Sequence, residues 1–315
     1  MRVVALTLCL ISMLSRVIPQ NPLSQGEVIR SPAEPVVVPF EPAPSPYIVI
    51  RVPVAGGPCD ALIFDTGTNT TVLAPSLAAR VGLSGGPATS LESLNGSAGA
   101  IQGEVRGIGF DGIPARGPRL AIATNLTGLG GFASTVTGLY GHNWLTGTDY
   151  LIDYGARRLT MGSAGRLPSP PGGSKTALTW ADGRPAITAM VRADAAEPFP
   201  GRFVLDSGAD HLTLFGRAAD RLARMPGRDT MLIDSGFGTR EVPTVKVSLD
   251  AGGRRTRTPA ELRGDLRDRE EDGLVPTSFF RSVFVSAADG VVVFEGRVPS
   301  SNQRESICAH AQRPG

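Results

Sequence analysis

The chain has 315 residues, with 31 Lys and Arg against 29 Asp and Glu, 39 Gly and 26 Pro. That length allows two modest domains with cores of their own, and the Gly and Pro content favours many short strands joined by turns over long helices. Near-balanced charge, with no basic stripe interleaved with aromatics, argues against nucleic acid as a partner.

Residues 1–20 place one charge, Arg2, ahead of an apolar stretch over 3–14. The stretch has the length of a signal-peptide core and is short for a membrane-spanning helix. Export, periplasmic or secreted, is therefore expected, with an uncleaved N-terminal anchor as the alternative. Residues 21–34 are polar with scattered Pro and read as a linker. Strands are predicted over 36–40 and over 47–54, where β-branched residues dominate. A turn at 55–58 then delivers an apolar strand that ends at Asp65. A short helix follows over 74–83, with Pro75 in its first turn and Gly82 at its end. Residues 91–105 carry hairpin chemistry around Asn95-Gly96. Another strand covers 120–123, and 150–161 form a closing hairpin around Gly155.

The Pro/Gly/Ser-rich segment 167–175 marks a boundary, and after it the order of elements repeats. Segments 176–180 and 185–192 answer the first two strands, and a strand then ends at Asp206. A helix over 217–223, a hairpin over 230–247 and a closing hairpin over 279–294 complete the second round. The expected organisation is a signal or anchor (1–20), a linker (21–34), lobe one (35–166), an inter-lobe linker (167–175), lobe two (176–299) and a polar tail (300–315). The fold class is all-β: two related barrel-like lobes with a few short helices and a cleft between them.

Two apolar runs are interrupted at a carboxylate. Leu62-Ile63-Phe64 leads into Asp65-Thr66-Gly67-Thr68, and Phe203-Val204-Leu205 leads into Asp206-Ser207-Gly208-Ala209. Burying an unpaired carboxylate is expensive, so each Asp needs a reason to be there. A third copy, Asp234-Ser235-Gly236, lacks the second apolar run and stands far closer to Leu274 than Asp65 stands to Leu139. It reads as a turn residue of the second hairpin.

With Leu139-Tyr140-Gly141 and Leu274-Val275-Pro276 following each turn, the chain resembles the retropepsin-like and pepsin-like aspartic peptidases. It is similar to a single chain with two tandem retropepsin-like lobes, over most of residues 35–298. The resemblance implies the acid-protease fold and an endopeptidase in which a water is activated between Asp65 and Asp206, sharing one proton. No metal, cofactor or covalent intermediate is implied. Thr66 and Ser207 would offer hydroxyls across the lobe interface, and Gly67 and Gly208 would turn backbone N–H groups toward the carboxylates. Thr68 would add a hydroxyl beside Asp65, where Ala209 gives Asp206 none, making Asp65 the more acidic of the two. The hairpin over 91–105 would be the substrate-covering flap.

There are departures from the family pattern. Leu212 stands where lobe one has Thr71, Pro276 stands where it has Gly141, and neither candidate flap holds a Tyr. These leave two rival readings: a non-catalytic peptide-binding protein on the same scaffold, or a homodimeric peptidase that uses Asp65 alone. The partner expected is a protein or peptide substrate, acted on by a monomer. Three His in no Ser/His/Asp order argue against a serine hydrolase. Tyr140 and Trp144 read as packing residues, and the charged run 263–272 as a solvated loop. Cys59 and Cys308 either form a disulfide or remain free thiols.

Overall fold

Asp60–Asp65 and Ala196–Asp206 each lie inside an eight-stranded sheet of the computed structural model. The structure describes residues 34–42, 47–83, 85–94, 96–111, 113, 119–126, 136–194, 196–225, 228–235 and 238–296. Signal or anchor, tail and Cys308 lie outside these residues, so the expectations placed on them do too. Cys59 is exposed and free among the described residues. No helix among them is long and apolar enough to cross a membrane.

The two sheets share one strand order. In the first, Asp60–Asp65 lies between Ile48–Val52 and Gly138–Gly141, followed by Thr71–Leu73, Arg119–Ala123, Gly96–Val105 and Ala88–Ser93. In the second, Ala196–Asp206 lies between Arg184–Ala193 and Gly273–Pro276, followed by Leu212–Phe215, Arg254–Arg263, Gly238–Ala251 and Asp229–Ser235. Each Asp strand runs parallel to its supporting strand, with Asp65 opposite Gly141 and Asp206 opposite Pro276. Residues 60–64 of the first strand and 203–206 of the second are buried on both faces, which is why these stretches read as continuous apolar runs rather than alternating ones. Among the described residues, short α-helices cover Pro75–Arg80 and Gly216–Leu222.

A third, six-stranded sheet is built from both lobes in a mirrored order. Val36–Pro39, Arg158–Ser163 and Thr148–Asp153 come from lobe one, and Ser282–Ser286, Val291–Glu295 and Ser174–Ala177 from lobe two. The closing hairpins meet there, with Tyr150 opposite Val285 and Ile152 opposite Val283. The main core is continuous across both lobes, so burial of apolar surface, at about 25 cal/mol per Å², holds the lobes together as well as each lobe.

Two expectations are corrected. Segment 167–175 is not all linker, because Ser174 and Lys175 already pair with Phe294 and Val293. The charged run 263–272 is not a solvated loop throughout: Arg263 and Glu271 are buried. A buried charge needs partners, and both have them, Arg263 with Glu261 and Asp265, and Glu271 with Arg184 and Arg269.

Candidate active site

Each Asp sits at the end of its strand, where the chain turns sharply through Gly. Gly67 N–H donates to the Asp65 carboxylate at 2.9 Å, and Gly208 N–H donates to that of Asp206 at 2.7 Å. The two turns then cross. A Cβ on Gly67 would lie 2.1 Å from Cγ of Asp206, and one on Gly208 would lie 2.7 Å from Cγ of Asp65. Each carboxylate therefore occupies the space left by the other turn's missing side chain, and neither Gly can be replaced without displacing an acid group.

A reciprocal hydrogen-bond set locks the crossing. The Thr66 hydroxyl donates to the Leu205 carbonyl at 2.7 Å and accepts from Ser207 N–H at 3.1 Å. The Ser207 hydroxyl donates to the Phe64 carbonyl at 2.7 Å and accepts from Thr66 N–H at 3.0 Å. Both hydroxyls are buried, so losing one would strand two backbone groups of the opposite lobe.

Electrostatics follow from this packing. Burial pushes the Asp65 carboxyl above its ordinary value, against the pull of the Gly67 and Thr68 N–H groups. Burial, and then the charge of Asp65 beside it, push Asp206 up further. Both members are therefore raised together, and the Thr68 hydroxyl expected to act on Asp65 does not do so. That hydroxyl donates to the Thr70 carbonyl at 3.1 Å, and it is the Thr68 N–H that acts on Asp65. Ala209 follows the second turn with no corresponding hydroxyl.

Asp234 is in the second hairpin as expected but is a strand residue and not a turn residue: it lies in Asp229–Ser235, opposite Thr239, far from this arrangement in topology. The first hairpin turns between Ser93 and Gly96. Its Leu94 packs against the lobe-two cluster that includes Phe215 and Leu274, and the Leu94 carbonyl accepts from Arg263. The hairpin of lobe one therefore reaches across to lobe two.

Tyr140 and Trp144 are core residues, in edge-to-face contact with centroids 5.2 Å apart. His142 is buried near Tyr150 and Trp180, and burial lowers its pKa to about 4. Sequence reasoning missed Arg184 and Glu271. Arg184 opens an apolar strand directly after the Asp182-Gly183 turn, and a lone charge there was the available signal. Nothing local pointed to Glu271.

No protein-family model matches the chain, and no curated protein matches it. Among solved structures it is similar to the aspartic proteinase from Irpex lacteus, at 11% identity and a TM-score of 0.53, over 85% of this chain and 99% of that one. At that identity the likeness concerns the fold: this chain has the two-lobed, all-β architecture seen in a pepsin-like aspartic proteinase.

Proposed function

We propose that the protein is an aspartic endopeptidase in which Asp65 and Asp206 activate one water for attack on a peptide carbonyl. The observation that carries this reading is the crossing of the two turns, with each carboxylate seated over the other turn's Gly. Two carboxylates held that closely do not both ionise easily, so they share a proton. The ionised member, Asp65, takes a proton from the water as it attacks. Asp206, held protonated, hydrogen-bonds the carbonyl oxygen and gives up its proton as the tetrahedral intermediate forms. Asp65 then gives its proton to the amine as the C–N bond breaks, and a hydroxyl of the intermediate returns a proton to Asp206 as the carbonyl reforms, so the pair again holds one proton. Thr66, Ser207, Gly67 and Gly208 hold the geometry, and the lobe-one hairpin covers the substrate.

Both carboxylates come from one chain, which favours a monomer and disfavours the homodimer that would use Asp65 alone. The N-terminal stretch would send the protein out of the cytoplasm. The test is digestion of an unbiased peptide library across pH, with and without pepstatin. Cleavage that pepstatin abolishes, at a specific activity constant on dilution, supports the reading. A folded protein that binds peptides without cleaving them at any pH overturns it in favour of a binding protein.

A further inference from the structure

Arg184 is a buried guanidinium with three separate anchors. Its Nε donates to the Ala181 carbonyl at 3.2 Å within its own hairpin, its Nη1 to the Gly67 carbonyl at 3.3 Å, and its Nη2 to Glu271 at 3.1 Å. The hairpin that carries it has a two-residue turn, Asp182-Gly183, with both residues at positive φ. Asp182 pays a strain cost for that conformation, and the turn is held by an Asn69–Asp182 hydrogen bond of 2.5 Å and by Asp182 N–H donating to Glu270 at 3.2 Å. Glu271 stands just before Gly273–Pro276, the strand beneath Asp206. Its neighbour Asp272 is fixed to the Asp206 strand by paired contacts with Arg202, at 2.7 and 2.8 Å.

We propose that Arg184 is a positioning residue for the reaction read above: it holds the Gly67 carbonyl of the first turn, ties that turn through Glu271 to the strand beneath Asp206, and sets a fixed positive charge beside the carboxylate pair. The proposal rests on the peptidase reading. Burying a cation is costly without a structural or chemical return, and an Arg fork is the side chain suited to bridging two acceptors at once.

The charged and titratable groups facing the guanidinium are Asp65, Asp206, His142, Asp182 and Glu271. Asp182 is mostly exposed at 4.0 Å and is screened by solvent. Glu271 is shared with Arg269, whose contact is 3.2 Å, so two guanidiniums face one buried carboxylate and a positive charge remains. His142 is neutral above about pH 4 and supplies no second cation there. Arg184 lowers both members of the pair against the upward push of burial. Removing it should raise both apparent values of the pair and carry both limbs of the pH–rate profile upward.

The test compares Arg184→Met, Arg184→Lys and Arg184→Met/Glu271→Gln. Arg184→Met is expected to lower kcat about ten- to a hundredfold with little change in KM, and to move both limbs up by about one pH unit. Arg184→Lys keeps the charge but loses the fork, so the limbs should stay near their original positions while kcat recovers only in part. The double variant removes the buried carboxylate that Arg184→Met leaves short of a partner, and it should still show the displaced limbs. A return to the original limbs in the double variant would assign the effect to Glu271 and overturn the proposal. Carbon-13 titration of the Asp65 and Asp206 carboxyls, assigned with the Asn variants, reads the same effect without turnover. If wild type cleaves nothing, the peptidase reading fails and the titration alone decides Arg184. Carboxyls that titrate identically with and without Arg184 sink it.

Discussion

In lobe one the N–H of Gly141, beneath the first turn, ends on the Thr71 hydroxyl at 3.0 Å, and that hydroxyl donates to Asn143 at 2.8 Å. In lobe two the same two positions hold Pro276 and Leu212, with no N–H to satisfy and no hydroxyl to satisfy it. Removing both partners of a buried hydrogen bond costs little, whereas removing one leaves the other stranded. The two departures that set lobe two apart from the family pattern are therefore one change seen from two sides. They leave the Asp206 turn with the same Gly208 contact and the same cross-lobe hydroxyl lock as its counterpart. The exchange does not run in reverse, because a Cβ at Gly141 would lie 2.5 Å from the Thr70 carbonyl.

If the turns are equivalent in function despite this difference, the largest effect comes from removing either acid. Asp65→Asn and Asp206→Asn should each reduce kcat by at least about a hundred- to ten-thousand-fold, with the fold retained by circular dichroism. The double variant should be scarcely worse than either single one, and Asp234→Asn should keep most of the activity. Full turnover in Asp206→Asn would show that lobe two is a scaffold and not a partner.

A smaller effect probes the support beneath the turns. Thr71→Val strands the Gly141 N–H and should cost about 1–3 kcal/mol in urea unfolding. Leu212→Thr buries a hydroxyl facing Pro276 and should cost about 1–2 kcal/mol. Leu212→Thr combined with Pro276→Gly restores a donor to that hydroxyl, so the two changes together should cost less than their sum by about 1 kcal/mol. Strict additivity would mean that the two positions are not coupled as lobe one suggests.

The smallest effect tests the unequal electrostatics of the pair. Asp206 is raised well above its ordinary value in the folded chain, while an unfolded Asp ionises near about 3.9. An acid raised by folding leaves stability intact below its unfolded value, and that stability falls as pH rises toward the folded value. Asp206→Asn should therefore raise Tm by about 2–4 °C at neutral pH, with the gain fading below about pH 4. A gain that persists unchanged at acid pH would point to packing rather than charge.

The repeated succession of elements along the chain, both Asp turns and the place of Asp234 in the second hairpin were legible because they are written locally, whereas the order of strands within each sheet was not. Apolar runs, Gly turns and their repetition need only neighbouring residues to be read. Residue type placed Tyr140 and Trp144 in the core, and the family resemblance marked Leu212 and Pro276 as departures. They did not say that those departures compensate, because Leu212 and Pro276 become equivalents of Thr71 and Gly141 only once sheet register sets them there. Nor did they distinguish the Thr68 hydroxyl from its N–H, a matter of how the turn is oriented.

The sequence by itself determined an all-β chain with two similar halves, each ending a buried strand at Asp-Thr/Ser-Gly, since side-chain period and turn chemistry act over a few residues. Only the tertiary structure decided which backbone groups the Thr66 and Ser207 hydroxyls join, 141 residues apart, and that the charged run 263–272 sends Glu271 inward to Arg184, 87 residues away. Contacts at that separation leave no local trace. A buried Glu and a solvated one are spelled alike until packing removes the water from one of them and a guanidinium takes its place.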